Sequence, residues 1–241
     1  MMKLGSLFSG IGGFELGLER AIPGLETIWQ VEQEKFCQRV LKKHWPNAEI
    51  FDDVKTVGKH NLKPVDILCG GFPCQDISIA GKKGGIYAKK SGLWWEMHRI
   101  ISELQPRIAV MENVPNLLTL GMPEVLGSLA EIGYDAEWCI VSASQFGAPH
   151  LRKRIFIVAY SRSTRCQGNR KQKRLQKSQT RKESVTMFSN TRDSRSTYWE
   201  KTETPSTICY LDDGIPNRLA RLRSLGNAIV PECSEFIGQQ I

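Results

Sequence analysis

The chain has 241 residues, of which 41% are hydrophobic and 24% charged, and a formal net charge of +8. That length and balance suit a packed core and exclude collagen-like, coiled-coil and wholly disordered chains. No apolar run reaches the ~18 residues of a membrane span and no signal-peptide pattern opens the chain, so a cytoplasmic, membrane-free setting is expected.

In chain order, Leu4–Phe8 reads as a buried strand and Ser9–Gly13 as a Gly-rich turn. A helix follows, with Phe14, Leu18 and Ala21 at helical spacing. Thr27–Val31 is a second strand. Lys35–His44 is a second helix, stopped by Trp45-Pro46. Glu49–Phe51 and Val65–Cys69 are strands, the latter leading into Gly70-Gly71. Leu93–Leu104 reads as helix, Ile108–Met111 as strand, Pro123–Ile132 as helix, and Glu137–Val141 and Ile155–Ala159 as strands. This alternation predicts an α/β, Rossmann-like fold: a mostly parallel sheet with helices on both faces. The pattern breaks after Tyr160. Helical spacing returns near Gly214, with Leu219, Leu222 and Leu225, and a short helix follows Pro231. Three units are therefore expected: a body over 1–160, a small basic region over 161–213, and a tail over 214–241 that packs back on the body.

Charge is unevenly placed. Ser161 to Glu203 holds 12 Lys/Arg and 4 Asp/Glu, the whole positive excess, and leaves a neutral remainder. A neutral body with one basic segment suits a polyanion partner, although a solvated basic loop has the same composition. The 7 Cys and 4 His follow no ligand spacing, so no metal site is expected.

Four segments carry chemistry. The first is the turn with Gly10, Gly12 and Gly13 between strand and helix. It offers close backbone approach and free N–H groups to a ligand, or serves as a plain tight turn. Glu32 ends the next strand, at the distance that suits a ribose hydroxyl partner. The spacing is not GxGxxG, which favours a nucleoside cofactor without a pyrophosphate over a dinucleotide. The second is Gly70-Gly71-Phe72-Pro73-Cys74-Gln75. Cys74 lies past a strand end, where a thiolate nucleophile would sit; Cys69 lies within the strand and reads as a small core residue. The third is Met111-Glu112-Asn113-Val114-Pro115, which brings a carboxylate to the same sheet edge. The fourth runs from Gln145 to Arg154. Its Arg152 and Arg154, at alternate positions entering a strand, share a face and can grip a phosphate or a base carbonyl.

In this order FSGIGGFELGLE, GGFPCQDIS, ENV, QFGAPHLRKRIFIVA and GNAIVP resemble the cytosine-C5 DNA methyltransferases. The resemblance covers residues 3 to about 160 and about 214 to the end. The intervening stretch matches no motif, as the family's variable target-recognition region would. The resemblance implies S-adenosylmethionine as cofactor, held by Phe8, Ser9, Gly10, Ile11, Gly12 and Gly13. Glu32 would take the ribose hydroxyls and Asp53 the adenine amino group, beside Val54. Pro73 and Leu93 would flank the cofactor, with Asn227 and Ala228 at its methionine end. It further implies Cys74 as nucleophile, Glu112 at cytosine N3, Arg154 at O2, and Arg152 positioning the loop or the DNA. Residues 76–92 would then form a mobile loop over the flipped base. The expected partner is double-stranded DNA. The chain is expected to act as a monomer, and a companion restriction endonuclease fits the same setting.

Three departures concern target choice. The arginine-rich stretch from Asn217 to Arg223 matches loosely, the recognition region is short, and His150 stands where the family more often has Gln. Rival readings are a tRNA-directed relative, whose Cys-Phe-Thr signature is missing from the sequence, and a catalytically silent nucleic-acid-binding relative. A NAD-dependent oxidoreductase would leave Cys74 and Glu112 without a role.

Overall fold

The computed structural model describes residues 1–73, 92–165 and 218–241. In chain order its elements are β1 (Met2–Leu7), α1 (Gly13–Ala21), β2 (Leu25–Val31), α2 (Lys35–His44), β3 (Glu49–Phe51) and β4 (Ile67–Gly71). There follow α3 (Leu93–Leu104), β5 (Ile108–Asn113), α4 (Leu117–Leu120), α5 (Met122–Glu131), β6 (Tyr134–Ser142) and β7 (Lys153–Ser161). The last are α6 (Arg162–Arg165), α7 (Arg218–Asn227) and α8 (Pro231–Gly238).

Among the described residues seven strands form one sheet in the order β3-β2-β1-β4-β5-β7-β6. Neighbouring strands from β3 to β5 are parallel, while β7 runs antiparallel to both β5 and β6. This is the α/β, Rossmann-like, mostly parallel sheet that the alternation of elements predicts. Beyond β1 the chain goes outward to β2 and β3, then returns to place β4 on the other side of β1. The strand order therefore switches between β1 and β4, where open α/β sheets bind ligands at their carboxyl ends.

Period-two alternation assigns the buried strand residues to one of two cores. On β5, Ala109 and Met111 meet Trp94, Met97, Ile100 and Ile101 of α3 and Val125 and Leu129 of α5. Val110, facing the other way, joins Phe14 and Leu18 of α1 and Cys233 and Ile237 of α8. Each large apolar side chain buried this way contributes about 1.5–3 kcal/mol relative to exposure. α8 lies along α1, and Ser234 Oγ donates to the Gly13 carbonyl at 3.1 Å. None of the described helices is long and apolar enough to cross a membrane.

Several element bounds differ from expectation: β1 is Met2–Leu7 and excludes Phe8, β5 runs on to Asn113, and β6 begins at Tyr134. β4 spans Ile67–Gly71 instead of Val65–Cys69, because Gly70 and Gly71 pair with Met111 and Glu112 and so remain in the ladder. On α7, Leu219 and Leu225 are 79% and 64% exposed among the described residues, so those leucines do not bury a face on the body. Cys69, by contrast, lies in β4 with no exposed surface, as its place in an apolar strand suggests. Cys74, the loop from residue 76 and most of the basic region lie outside the described residues.

Candidate active site

β1 ends at Leu7 and the chain turns sharply. Phe8 has φ 56°, a left-handed conformation that costs a side-chain-bearing residue about 1 kcal/mol. Gly10 and Gly12 follow with φ 56° and 87°, values open to glycine at no steric cost. The turn is tied at several points. Ser9 N–H donates to the Val31 carbonyl at 3.1 Å and Gly12 N–H to the Ser9 carbonyl at 3.0 Å. Glu32 accepts from Gly10 N–H at 2.7 Å through one oxygen and from Glu34 N–H at 2.7 Å through the other. Burial pushes the Glu32 carboxyl above its ordinary range, against the pull of those N–H groups. The carboxylate thus fixes Gly10 against the end of β2.

The second wall is the C-terminal segment. Asn227, Ala228 and Ile229 line a cleft with Ser6, Leu7, Phe8, Ser9, Gly10, Phe14, Gly71 and Glu112. Gly13 and Gly71 keep this cleft close-walled: a Cβ on Gly13 would strike the Ile229 carbonyl, and one on Gly71 would lie 2.8 Å from Glu112 Oε2. The described lining residues include one acid, Glu112, and no Lys or Arg. A lining without Lys or Arg suits a phosphate-free ligand better than a pyrophosphate.

Glu112 stands near the end of β5, opposite Phe156 of β7. Arg154 is two residues from Phe156 on β7, so its side chain leaves the same face as Glu112. Its Nε lies 2.8 Å from Glu112 Oε1. Even so, burial raises the Glu112 carboxyl to about 7, outweighing the attraction of Arg154 and Arg152. The group is poised to hold or give a proton near neutral pH. Arg152 (φ 29°) donates through Nη1 to the Gly226 carbonyl at 2.7 Å. That bond ties the start of β7 to the segment carrying Asn227 and Ala228. Beside Glu112, Asn113 Nδ2 donates to the Phe72 carbonyl at 3.2 Å, within the core. It therefore sets the path of the chain entering Pro73.

Phe8, Ser9, Gly10, Glu112, Asn227 and Ala228 thus share one cleft. Arg152 and Arg154 flank its acid, and Glu32 reaches it through Gly10. Gly12 caps α1, and a Cβ there would meet the Trp45 ring. Ile11, between them, is half-buried and does not line the cleft. Asp53 accepts from Lys55 N–H at 3.0 Å and opens a short 3-10 turn, and Val54 is buried in the core. The neighbouring Asp52 is held by Lys35 at 2.7 Å and by Gln38, which leaves Asp53 the freer of the two carboxylates. Pro73 and Leu93 stand on either side of the 74–91 stretch, and Cys74 lies outside the described residues. Sequence reasoning did not single out Ser6, Phe14, Gly71 or Ile229 as cleft residues, nor the Asn113 and Arg152 ties.

The family model of C-5 cytosine-specific DNA methylases matches residues 2–213. The chain is 37% identical over 166 residues to Type II methyltransferase M2.BsuMI of Bacillus subtilis (strain 168), covering 66% of this chain and 42% of that protein. It is 32% identical over 158 residues to Type II methyltransferase M.HhaI of Haemophilus parahaemolyticus, covering 64% and 47%. A crystal structure assigned as a DNA modification methyltransferase encoded within an E. coli prophage superposes with a TM-score of 0.55 at 27% identity, over 68% of this chain and 48% of the other. The S. pombe Dnmt2 methyltransferase shares the fold, with a TM-score of 0.57 at 19% identity over 67% and 51%. The chain spans about half the length of the curated relatives it matches.

Proposed function

Because the chain belongs to the C-5 cytosine-specific DNA methylase family, we propose that it is a DNA (cytosine-5-)-methyltransferase that works on a flipped cytosine through a covalent Cys74 adduct. The observation that carries this reading is the Glu112–Arg154 pair at the mouth of the glycine-lined cleft, with the carboxyl raised to about 7.

S-adenosylmethionine would occupy the cleft between the Phe8–Gly13 turn and Asn227–Ala228, where it supplies an electrophilic methyl group. Glu32, which fixes Gly10, sets the turn against its nucleoside part, and the described lining, free of Lys and Arg, suits a cofactor without phosphates. Cytosine C5 is a weak nucleophile. Cys74 thiolate would add to C6, forming a C–S bond and pushing the ring electrons toward C5. Protonated Glu112 donates to N3 and so stabilises the charge that develops there. Arg154, already against Glu112, donates to O2 of the base. Methylation at C5, loss of the C5 proton to a base and departure of Cys74 complete the exchange. The reacting atoms are hidden in a duplex, so the base must leave the stack, and the basic region supplies the phosphate contacts.

The test is methyl transfer from tritiated S-adenosylmethionine to DNA, to tRNA or to no substrate, expected with DNA alone. Cys74→Ser should abolish transfer and retain S-adenosylhomocysteine binding. DNA carrying 5-fluorocytosine should trap Cys74 as a covalent adduct; an adduct on another cysteine overturns the assignment.

A further inference from the structure

Behind the glycine-rich turn lies a polar cluster that the proposed reaction does not use. It joins Ser6 of β1, Ser9 of the turn, Glu15 of α1 and Gln30 of β2. Ser6, Glu15 and Gln30 have no exposed surface and Ser9 has 8%. Gln30 Nε2 donates to Glu15 Oε1 at 3.1 Å. The other two atoms of this pair, Glu15 Oε2 and Gln30 Oε1, are buried with no hydrogen-bond partner. Both are acceptors as the groups ordinarily stand, and a buried unsatisfied acceptor costs about 1–3 kcal/mol. One proton on Glu15 Oε2 removes both deficits, because the acid O–H can then donate to Gln30 Oε1.

We propose that Glu15 is a neutral carboxylic acid joined to the Gln30 carboxamide by two reciprocal hydrogen bonds, and that this pair positions the cofactor-binding turn. The surroundings agree. Burial raises the Glu15 carboxyl above its ordinary range, and the groups acting on it are hydrogen-bond donors, with no cation among them. The titratable groups nearby are Cys69 of β4, which faces Glu15, and Glu19 one turn along α1; neither supplies positive charge. An ionised carboxylate sealed here would lack a counter-charge, whereas the neutral acid needs none. The link to the cleft runs through the serines. Ser9 Oγ donates to Ser6 Oγ at 2.9 Å, the two hydroxyls lie beside Glu15, and both residues line the cleft. α1, β2 and the turn are thereby locked to one another directly behind Phe8 and Gly10. The positioning half of this inference rests on the cofactor reading of the cleft; the protonation half does not.

The two halves are tested separately. Infrared difference spectra of the full chain against Glu15→Gln, taken across the neutral range, should show a protonated-carboxyl C=O band in the wild type that persists with rising pH and is missing from the variant. Glu112 is common to both proteins and cancels. Absence of that protonated-carboxyl band from the difference spectrum overturns the proposal, because Glu15 is then ionised. For positioning, S-adenosylhomocysteine is titrated calorimetrically. Glu15→Gln keeps both reciprocal bonds as an amide pair and should retain affinity within about twofold, while Glu15→Ala and Gln30→Met should each lose roughly tenfold, equivalent to about 1.4 kcal/mol. Gln30→Met keeps the chain length and serves if Glu15→Ala does not fold. Equal losses in Glu15→Gln and Gln30→Met overturn the pairing. A wild type that shows the band but does not bind S-adenosylhomocysteine overturns the cofactor reading and leaves the acid–amide pair standing.

Discussion

Arg154 Nε lies 2.8 Å from Glu112 Oε1, and Glu112 is nonetheless a raised acid near 7. Desolvation of the carboxyl at the sheet edge outweighs an ion pair with a guanidinium that keeps 25% of its side chain in solvent. Coulomb attraction through partly solvated surroundings is weak, while loss of hydration acts on the whole charge.

The sign of the linkage follows. Folded Glu112 binds its proton more tightly than the unfolded chain does, with about 7 against an ordinary 4.5. Its contribution to stability is therefore fully present below the unfolded value and declines as pH rises through the window to about 7. One pKa unit is about 1.4 kcal/mol, so the decline approaches at most about 3 kcal/mol. Urea unfolding of the wild type and Glu112→Gln across that window should show the wild type losing stability relative to the variant as pH rises. Parallel curves would place Glu112 at an ordinary pKa. Single-turnover methylation should also weaken above about pH 7, where the donor to N3 is lost.

Arg154→Ala removes the largest influence holding Glu112 down. The carboxyl should titrate still higher, as followed by carbon NMR of labelled glutamate, and the chain should lose about 2 kcal/mol, less than for a fully sealed pair. Arg154→Lys should recover only part of this, because an ammonium lacks the planar fork. An unmoved Glu112 titration would mean that the pair does not persist in solution.

Glu32 accepts two main-chain N–H groups at 2.7 Å each, so its removal loosens the turn as well as deleting a ligand contact. Glu32→Ala should weaken S-adenosylmethionine binding by roughly 1.5–3 kcal/mol, the range for losing charged hydrogen bonds. Calorimetric titration with unchanged affinity would separate Glu32 from the cofactor.

Gly17 lets α8 lie on α1. A Cβ there would strike Ser234 Oγ and the Pro231 carbonyl and come within 2.7 Å of Glu235 N. Gly17→Ala should cost about 1–3 kcal/mol, lower Tm and weaken S-adenosylhomocysteine binding, because Asn227–Ile229 leads straight into α8. Gly127→Ala on α5, where the Cβ meets open space, should be neutral or stabilise by up to about 1 kcal/mol. Equal behaviour of the two variants would show that the helices are not in close contact.

Local sequence determined the elements and the class of fold. Lys35–His44, Glu49–Phe51 and Leu93–Leu104 are bounded as their apolar spacing and stop signals dictate, because periodicity and capping act within a few residues. The ends of β4 and β6 escaped such reasoning: Gly70 and Gly71 are strand residues only because β5 pairs with both and β1 with Gly70, and Tyr134 begins β6 only because β7 pairs with it. The chemistry-bearing residue types were legible as motifs, but their partners were not. Arg154 finds Glu112, Arg152 finds Gly226, and Asn113 finds Phe72 across separations that no local pattern encodes. The state of each acid belongs to the tertiary structure as well, since burial of Glu112 and Glu15 sets their protonation and burial is a property of the assembled sheet and helices.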